Sequence, residues 1–327
     1  MHHAIRQYEL GGPDVLRLEE VPDLVPTTGL VRIAVATSGV HFIDTVIRAG
    51  VTDGPVPVEQ LPMTPGREIA GRVDRIGDGV DESWLGARVV AHLGTASGGY
   101  AEQALAAVES VHLVPDGLSF ETAVAAIGTG RTAVGILDQV PISARDIVLV
   151  TAAAGGLGAL LIQAAKHAGA AVIGLAGGRD KIAIARSQGA DLAIDYRTDG
   201  WDDVVRGVLG GVRATLVFDG VAGQAGLAAY GLLTPGGTLV QYGWASGEPV
   251  SYDDPDKSVL RVLGPQLSSR PGGIRALEAE ALACAADGSR VPLIGATFRL
   301  SDASGAHRAI EARETHGKVV LVPDAQA

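Results

Sequence analysis

The chain has little cysteine, few aromatic residues and no long apolar run, and each scarcity excludes a class of protein. Its single cysteine, Cys284, excludes an internal disulfide and is typical of a reducing cytoplasm. No stretch of about 20 residues is apolar throughout, so no membrane-spanning helix is predicted. Aromatic residues make up 4% of the chain and the net charge is -11. Neither nucleic acid nor an anionic membrane is therefore expected as a partner.

The length of the chain and the changes in its pattern of strand and helix signals predict two domains. A chain of 327 residues exceeds the size at which single cores stop growing. Residues 1–125 carry short strand patterns between Gly, Pro and Asp turns, which is typical of a mainly antiparallel, barrel-like β domain. Strand and helix patterns then alternate, and the texture changes again after residue 265. The stretch 51–65 contains four prolines and is expected to be a long loop that covers a cleft.

Residues 147–168, IVLVTAAAGGLGALLIQAAKHA, contain the most informative motif. The apolar run 147–150 predicts a strand buried on both faces, and a helix pattern follows it. A strand, a glycine turn and a helix together aim backbone N–H groups at a pyrophosphate. The turn matches G-x-G-x-x-G with alanine in place of the first glycine. The predicted cofactor-binding residues of this turn are Ala153, Ala154, Gly155, Gly156, Leu157 and Gly158.

Further strand patterns follow this unit and alternate with helix patterns. The strands are predicted at 171–176, 191–196, 214–220 and 237–242. This alternation is typical of right-handed crossovers and a parallel sheet covered on both faces. Nucleotides bind such sheets at the carboxyl ends of the strands. The candidate binding residues just after the strands are Gly177, Tyr196, Asp219, Gly220 and Gly243.

The residues after the second strand of this series indicate which dinucleotide binds. An NAD site usually has Asp or Glu here to accept hydrogen bonds from the ribose. In this chain Gly177 and Gly178 leave space, while Arg179 and Lys181 supply positive charge for a 2′-phosphate. Asp180 lies between these two cations and has a negative charge, which does not favour a phosphate. Its position favours capping of the next helix. The pattern predicts NADPH rather than NADH, with a solvated helix start as the alternative interpretation.

Six short motifs occur in a specific order along nearly the whole chain. They are SGVHFIDTVIRAG at 38–50, PGREIAGRVDRIGDGV at 65–80, GTGRTAV at 128–134, AAAGGLG at 152–158, DYRTDG at 195–200 and HGKVVLVP at 316–323. In this order and spacing they resemble the zinc-free quinone oxidoreductase (zeta-crystallin-like) branch of the medium-chain dehydrogenase/reductase superfamily.

The resemblance implies an α/β fold in which a Rossmann doubly wound parallel sheet is inserted in a GroES-like β-barrel domain. Residues 1–125 and 266–327 would form the GroES-like catalytic domain. Residues 126–265 would form the NADP-binding domain, with the active site between the two. The resemblance also implies a homodimer that pairs through an edge strand at 259–264.

Individual roles are implied where a residue matches a family motif. Lys181 and Tyr196 match the residues that hold the adenosine 2′-phosphate, although Tyr196 could instead pack on the helix beneath its strand. Thr132 matches a residue near the nicotinamide, and Arg313 one that reaches the cofactor from the C-terminal segment. The loop expected to line the nicotinamide side contains Tyr242, Gly243 and Ser246.

The resemblance also implies that no metal is bound. Zinc-dependent relatives have a cysteine where this chain has His41, a histidine where it has Arg67 and a cysteine near Gly128. One possible ligand out of three cannot hold a catalytic zinc, which needs three protein ligands and a water molecule.

Two residues depart from the patterns of related enzymes and are the candidate catalytic residues. The quinone reductase branch usually has asparagine beside the nicotinamide where this chain has His41. A histidine there could donate a hydrogen bond to a developing oxyanion, or it could simply fill the asparagine niche. Enoyl-thioester reductases place a tyrosine acid where this chain has Thr52.

These features predict hydride transfer from NADPH to a small electron-poor acceptor, such as a quinone or an activated enone. One alternative is an enoyl-thioester reductase, acting on a 2-enoyl-CoA or acyl-carrier substrate, on the same scaffold. Another is a low-turnover NADPH-binding protein with a structural or sensing role.

Overall fold

The computed structural model describes residues 1–50, 61–94, 97–262, 267 and 269–324. These residues form two compact units. The terminal unit comprises Met1–Arg131 and Glu278–Ala327, and the central unit comprises Thr132–Leu277. The predicted loop 51–65 is described only from residue 61, and Thr52 lies outside the described residues. The domain boundaries expected near 125 and 265, and the role of each domain, stay predictions.

Within the described residues, the first part of the chain forms seven strands and three α-helices. Its elements are β1 (His2–Gln7), β2 (Leu16–Val21), β3 (Leu30–Val40), α1 (Phe42–Ala49), β4 (Glu68–Ile76), β5 (Arg88–His92), β6 (Gln103–Ala107), β7 (Val111–Leu113), α2 (Phe120–Ala125) and α3 (Arg131–Leu137). A π-helical turn at Ala126–Gly130 joins α2 to α3. Strands β1 and β2 pair in a separate two-stranded sheet.

The central unit is a six-stranded parallel sheet with helices between its strands. Its elements are β8 (Ile147–Val150), α4 (Gly156–His167), β9 (Ala171–Ala176), α5 (Arg179–Ser187), β10 (Leu192–Asp195), α6 (Trp201–Leu209), β11 (Ala214–Asp219), α7 (Gly223–Gly231), β12 (Leu233–Gln241) and β13 (Ser258–Arg261). The strand order is β10-β9-β8-β11-β12-β13. The chain therefore adds β9 and β10 on one side of β8 and then β11, β12 and β13 on the other side. This is the doubly wound order, in which ligands bind near the switch point.

Successive residues of β8 pack into different cores, as a strand covered on both faces requires. Val148 and Val150 belong to one buried cluster, which includes Leu161 of α4. Leu149 belongs to the other cluster, which includes Trp201 of α6. The sheet is therefore covered by helices on its two faces, and the Rossmann part of the predicted fold is confirmed.

The last part of the chain returns to the terminal unit. Its elements are α8 (Gly273–Asp287), β14 (Ile294–Arg299), α9 (Ala303–Glu311) and β15 (Lys318–Val322). The sheet order is β14-β15-β3-β4-β5-β7, with β6 paired to β3. Because β15 pairs antiparallel with β3, the two ends of the chain build one sheet. Pairing in this unit is mainly antiparallel, with β14 and β15 as a parallel pair. No helix among the described residues combines the length and apolar character needed to cross a membrane.

Candidate active site

The turn after β8 presents backbone amides at the start of α4. Gly155 is the N-cap residue of α4, and its own N–H donates to the carbonyl of Ala152 at 2.8 Å. The N–H groups of Gly156, Leu157 and Gly158 lie in the first turn of α4, where backbone N–H groups have no acceptor within the helix. A Cβ at Gly158 would collide with the Ala152 carbonyl, so glycine is needed for close packing of helix and turn. Such a turn can bind a dinucleotide phosphate.

The turn after β11 is held by a buried carboxylate. Asp219 is fully buried, and its Oδ1 accepts the Thr151 hydroxyl at 2.7 Å. Its Oδ2 accepts the Tyr252 hydroxyl at 2.8 Å and the Ala222 N–H at 3.1 Å. Burial, followed by the charge of Asp219, raises the pKa of Tyr252, so this hydroxyl stays a donor. Asp219 therefore fixes the turns after β8 and β11 relative to each other.

The loop after β12 is tied to the same edge of the sheet. The buried Tyr242 donates its hydroxyl to the Thr151 carbonyl at 2.9 Å. The Ser246 N–H donates to the Val221 carbonyl at 2.8 Å. A Cβ at Gly243 would meet the backbone of the β11 turn, so the two turns approach closely there. The structure thus brings together the predicted residues Asp219, Gly220, Tyr242, Gly243 and Ser246.

The turn after β9 meets the end of β10. Gly178 has φ of 96°, and its N–H donates to Asp195 Oδ2 at 2.9 Å. The Tyr196 hydroxyl lies 3.5 Å from the position that a Gly177 Cβ would take. The Arg197 guanidinium packs against Gly177 and Gly178, and its Nε donates to Asp195 Oδ1 at 3.3 Å. The predicted Tyr196 is therefore beside the predicted glycine turn, together with Arg197, which sequence reasoning missed.

The remaining predicted cofactor residues lie in separate parts of the two units. Arg179 is exposed at the first position of α5, and Lys181 is half-buried one position beyond Asp180. Thr132 is half-buried at the start of the central unit. Arg313 is exposed in the terminal unit, after α9, with φ of 58°.

Three titratable side chains of the terminal unit meet at the N-terminus of α1, and we call them the His41 cluster. His41 Nε2 lies 2.5 Å from Glu68 Oε1 and 2.6 Å from Lys318 Nζ. Lys318 Nζ donates to Glu68 Oε2 at 2.9 Å. The side chains of Glu68 and Lys318 are 1% and 3% exposed, whereas that of His41 is 28% exposed. His41 is therefore the member of the cluster that opens to the surroundings.

Two glycines allow the His41 cluster to close, and its charges are strongly coupled. A Cβ at Gly39 or Gly128 would collide with the Glu68 carboxylate. Burial raises the pKa of Glu68, but the charges of His41 and Lys318 outweigh it and hold this pKa well below its ordinary value. Burial lowers the pKa of Lys318, and the attraction of Glu68 offsets only part of that effect. Glu68 is therefore a fixed anion beside a lysine that loses its proton more readily than usual.

A buried hydrogen-bond chain supports the backbone of His41. Arg48 lies 3.3 Å from His307 Nδ1, and an arginine can only donate, so Nδ1 is the acceptor. The neutral ring then carries its proton on Nε2, which faces the Tyr100 hydroxyl at 3.2 Å. The Tyr100 hydroxyl donates to Asp44 Oδ2 at 3.1 Å, and the same oxygen accepts the His41 N–H at 2.8 Å. Burial lowers the pKa of His307 to about 4, which keeps the chain in this arrangement at neutral pH.

The positions compared above with zinc ligands carry other interactions. Arg67 lies 3.6 Å from Asp44 Oδ1, and the π-helical Gly128 packs on Glu68. Within the part of the chain that the structure describes, no group of three or more His, Cys, Asp and Glu side chains is arranged to hold a metal ion. The arrangement offers hydrogen-bond donation and proton exchange at His41.

Sequence reasoning missed Glu68 and Lys318 even though both lie in motifs quoted above. The available signal was a charged residue at the first position of a strand, directly before the apolar residues IAG in β4 and VVLV in β15. That signal does not show that the two strands place their first residues side by side, because β4 and β15 are 250 residues apart.

Known families match both parts of the chain. Residues 27–116 match the alcohol dehydrogenase GroES-like domain, and residues 156–270 match the zinc-binding dehydrogenase family. A 2-haloacrylate reductase from Burkholderia sp is 33% identical over 97% of this chain and 98% of its own length. A quinone oxidoreductase from Salmonella typhimurium is 31% identical over 99% of this chain and 100% of its own length.

Solved structures agree with these relatives. A mycobacterial protein complexed with NADPH has a TM-score of 0.84 and 34% identity, covering 99% of this chain and 100% of its own. The Escherichia coli quinone oxidoreductase complexed with NADPH has a TM-score of 0.83 and 28% identity, covering 98% and 100%. The predicted family is confirmed. The chain belongs to the zinc-free quinone oxidoreductase branch of the medium-chain dehydrogenase/reductase superfamily and is a nicotinamide-dependent oxidoreductase.

Proposed function

We propose that the protein uses NADPH to reduce a quinone or an activated enone without a metal. The observation that carries this proposal is the amide-lined turn after β8, which adjoins the turn after β9 in a doubly wound sheet. Amides at a helix N-terminus suit the pyrophosphate, and cations at the next turn suit an additional phosphate.

The preference for NADPH is supported by the charges around Gly177 and Gly178. Arg197 packs on these glycines, and Arg179 and Lys181 follow them on α5. Tyr196 adds a hydroxyl beside Gly177. The negative charge of Asp195 disfavours a phosphate nearby. Its carboxylate, however, already accepts hydrogen bonds from Arg197 and from a backbone N–H. Three cations and a hydroxyl donor near one turn favour a 2′-phosphate over a free ribose hydroxyl.

The acceptor class follows from what the chain can supply to the reaction. A bound nicotinamide supplies a hydride, and the protein supplies orientation, exclusion of water and a proton. We propose His41 as the donor to the oxygen of the acceptor, because it is the exposed member of its cluster. A similarity to a 2-haloacrylate reductase favours electron-poor alkenes beside quinones. A 2-enoyl thioester is the second candidate, and it shares the same electron-poor double bond.

A matrix of two cofactors and several acceptors tests the proposal. Initial rates of NADPH and NADH oxidation would be measured with 1,4-benzoquinone, a cyclic enone, 2-chloroacrylate and crotonyl-CoA. We expect higher kcat/KM with NADPH, and turnover with the quinone or the enone. A preference for crotonyl-CoA would support the thioester alternative. Tight NADPH binding with no oxidation by any acceptor would support a binding protein of low turnover and contradict the proposal.

We also propose that the expected homodimer forms along β13. This strand is at the edge of the central sheet, as the sequence comparison implies for the segment 259–264. Residues 263 and 264 of that segment lie outside the described residues.

A further inference from the structure

The distances in the His41 cluster allow two positions for one proton. If Lys318 is protonated, an Nζ–H bond can point at His41 Nε2 only when Nε2 has a free lone pair. If Nε2 is protonated, it donates to Glu68 Oε1, and Lys318 must present its lone pair to the ring. Protons on both nitrogens would face each other across 2.6 Å. The Lys318–Glu68 contact is possible in both arrangements, so the two differ only in which nitrogen holds the proton.

Charged groups from several elements act on the proton of the cluster. Glu68 contacts both nitrogens and attracts the proton at either site. Asp44, from α1, raises the pKa of Lys318, whereas Arg131 at the start of α3 lowers it. His92 from β5 is held neutral, because burial lowers its pKa to about 4 and Arg131 adds to this effect. The cluster therefore contains one fixed anion and one proton with two possible positions.

We propose that Lys318 is a proton reserve for His41, so that the proton given to the acceptor is replaced inside the protein. The inference rests on the proposed reduction and adds the source of its proton. Lys318 acts only through His41, since it is 3% exposed and lies behind the ring. Glu68 fixes both nitrogens in contact and remains ionised.

The transfer balances in atoms and charge. When the acceptor takes up hydride, a carbon–hydrogen bond forms and a π-electron pair moves to the acceptor oxygen. When Nε2 accepts from Lys318, the neutral His41 ring carries its proton on Nδ1, and this Nδ1–H bond breaks as the O–H bond forms. The Nζ–H bond of Lys318 breaks as the Nε2–H bond of His41 forms, leaving neutral lysine and ionised Glu68. Water returns one proton through His41 after the product leaves.

The test combines Lys318→Met, which removes the proton, with Lys318→Arg, which keeps the charge but cannot release a proton. With a cyclic enone, whose enolate is strongly basic, both variants are expected to lose about 10²-fold in kcat. With 1,4-benzoquinone, whose reduced anion is far less basic, the loss is expected to stay within about threefold. Binding of NADPH is measured alongside and should match the wild type. The midpoint of thermal unfolding is recorded as well and is expected to fall in Lys318→Met, because this variant leaves the buried Glu68 carboxylate without its lysine partner. Full enone activity in Lys318→Arg would show that only the charge matters and would overturn the inference.

A measurement on the wild-type protein tests the proton reserve without turnover, and it does not depend on whether the variants fold. The ¹⁵N NMR shift of His41 Nε2 in the free wild-type protein is expected to be that of an unprotonated ring nitrogen, because the proton rests on Lys318 before transfer. A protonated Nε2 shift at every pH from 5 to 9 would mean that Lys318 holds no proton for the ring and would overturn the proton reserve. Failure of the proposed function is distinguishable, because it would appear as absent wild-type turnover with an unprotonated Nε2 shift.

Discussion

Charged side chains at the turn after β9 are proposed to select the phosphate of the cofactor. Lys181→Ala and Arg197→Ala are each expected to weaken NADPH binding by about tenfold, because each removes a charge-assisted hydrogen bond to the 2′-phosphate. The Kd for NADH should change by less than about twofold, since NADH has no such phosphate. Isothermal titration with both cofactors checks this prediction.

A surface arginine of the same unit provides the matched control. Arg206 pairs with Asp202 and Asp203 on α6, so Arg206→Ala removes the same charge from another place. This control is expected to leave both Kd values as they are. Equal losses for NADPH and NADH in the Arg197 variant would contradict a role in phosphate selection.

The buried His307 makes stability depend on pH. Its pKa is about 4 in the folded protein because burial disfavours the charged ring. The unfolded chain takes up this proton near pH 6.5, so the free energy of unfolding falls as the pH drops from about 6.5 to 4, by up to about 3 kcal/mol. Above pH 6.5 the ring is neutral in both the folded and the unfolded protein, so this loss of stability is absent. Urea unfolding at several pH values checks the direction, and His307→Gln should flatten part of the slope.

The exposed His167 at the end of α4 gives the comparison variant. His167→Gln is expected to reproduce the wild-type slope. If His307→Gln keeps the full slope as well, other groups such as the half-buried His92 carry the dependence.

At this scale the sequence predicts residue types that are local to a motif and misses those that meet across the fold. Tyr196 and Gly177 are adjacent as expected, since neighbouring strands of one βαβ series place them there. His41 was identified, but its neighbours Glu68 and Lys318 were not. Their meeting depends on strand pairing between distant segments, which no local pattern encodes.

Helix α4 depends on close contact with the turn before it. A Cβ at Gly158 would collide with the Ala152 carbonyl, so Gly158→Ala requires the helix to move away from β8. We expect this variant to lose about 1–3 kcal/mol in the free energy of unfolding, as overpacked sites do. NADPH binding should weaken as well, because the same helix start presents the amides. Thermal unfolding and cofactor titration measure the two effects.

Gly207 on α6 provides a matched glycine without such a neighbour. Its Cβ would meet nothing within 4 Å, so Gly207→Ala should stabilise the protein by up to about 1 kcal/mol. Stabilisation by both alanines would show that the contact at Gly158 is not limiting.

The predicted elements are accurate where propensity and packing agree. Strand 171–176 has the bounds expected from its pattern. Helices α2 and α3 are separated by the π-helical turn at Ala126–Gly130, where Gly128 packs against Glu68. Helix α1, with the β-branched residues Ile43, Thr45, Val46 and Ile47, was not predicted, since its composition suits a strand equally well. Here tertiary contacts decide the local structure.

The protein is proposed to form a dimer through β13, the edge strand of the central sheet. The direction of the backbone N–H groups along this strand allows the proposal to be tested. The Val262 N–H donates to Gln241 of β12. Because direction alternates along a strand, the Leu260 amide also points to β12 and the Arg261 amide points outward. Arg261→Pro should therefore disrupt pairing between two copies without breaking the central sheet. Sedimentation velocity is expected to show a dimer for the wild type and a monomer for this variant.

Arg261→Ala retains the backbone N–H and serves as the control, which should remain a dimer. A wild-type monomer, or a dimer of unchanged affinity in Arg261→Pro, would contradict assembly through this edge.

The two units differ in how much of their fold can be predicted. The parallel sheet follows from a continuous series of strands and helices between residues 147 and 241, because neighbouring elements pack on one another. The other sheet needs β15 beside β3, whose paired residues, such as Val319 and Val40, are 279 positions apart in the sequence. Only the family resemblance implied that arrangement, since turn signals along residues 1–125 do not determine which strands pair.

The pairing of β15 with β3 has a consequence for biosynthesis. A ribosome releases the segment 147–196 well before Lys318, so a growing chain can acquire its nucleotide turn early. His41 and Glu68, by contrast, wait for their third partner until translation passes the last sheet strand. The central sheet can therefore form during synthesis before the His41 cluster is complete.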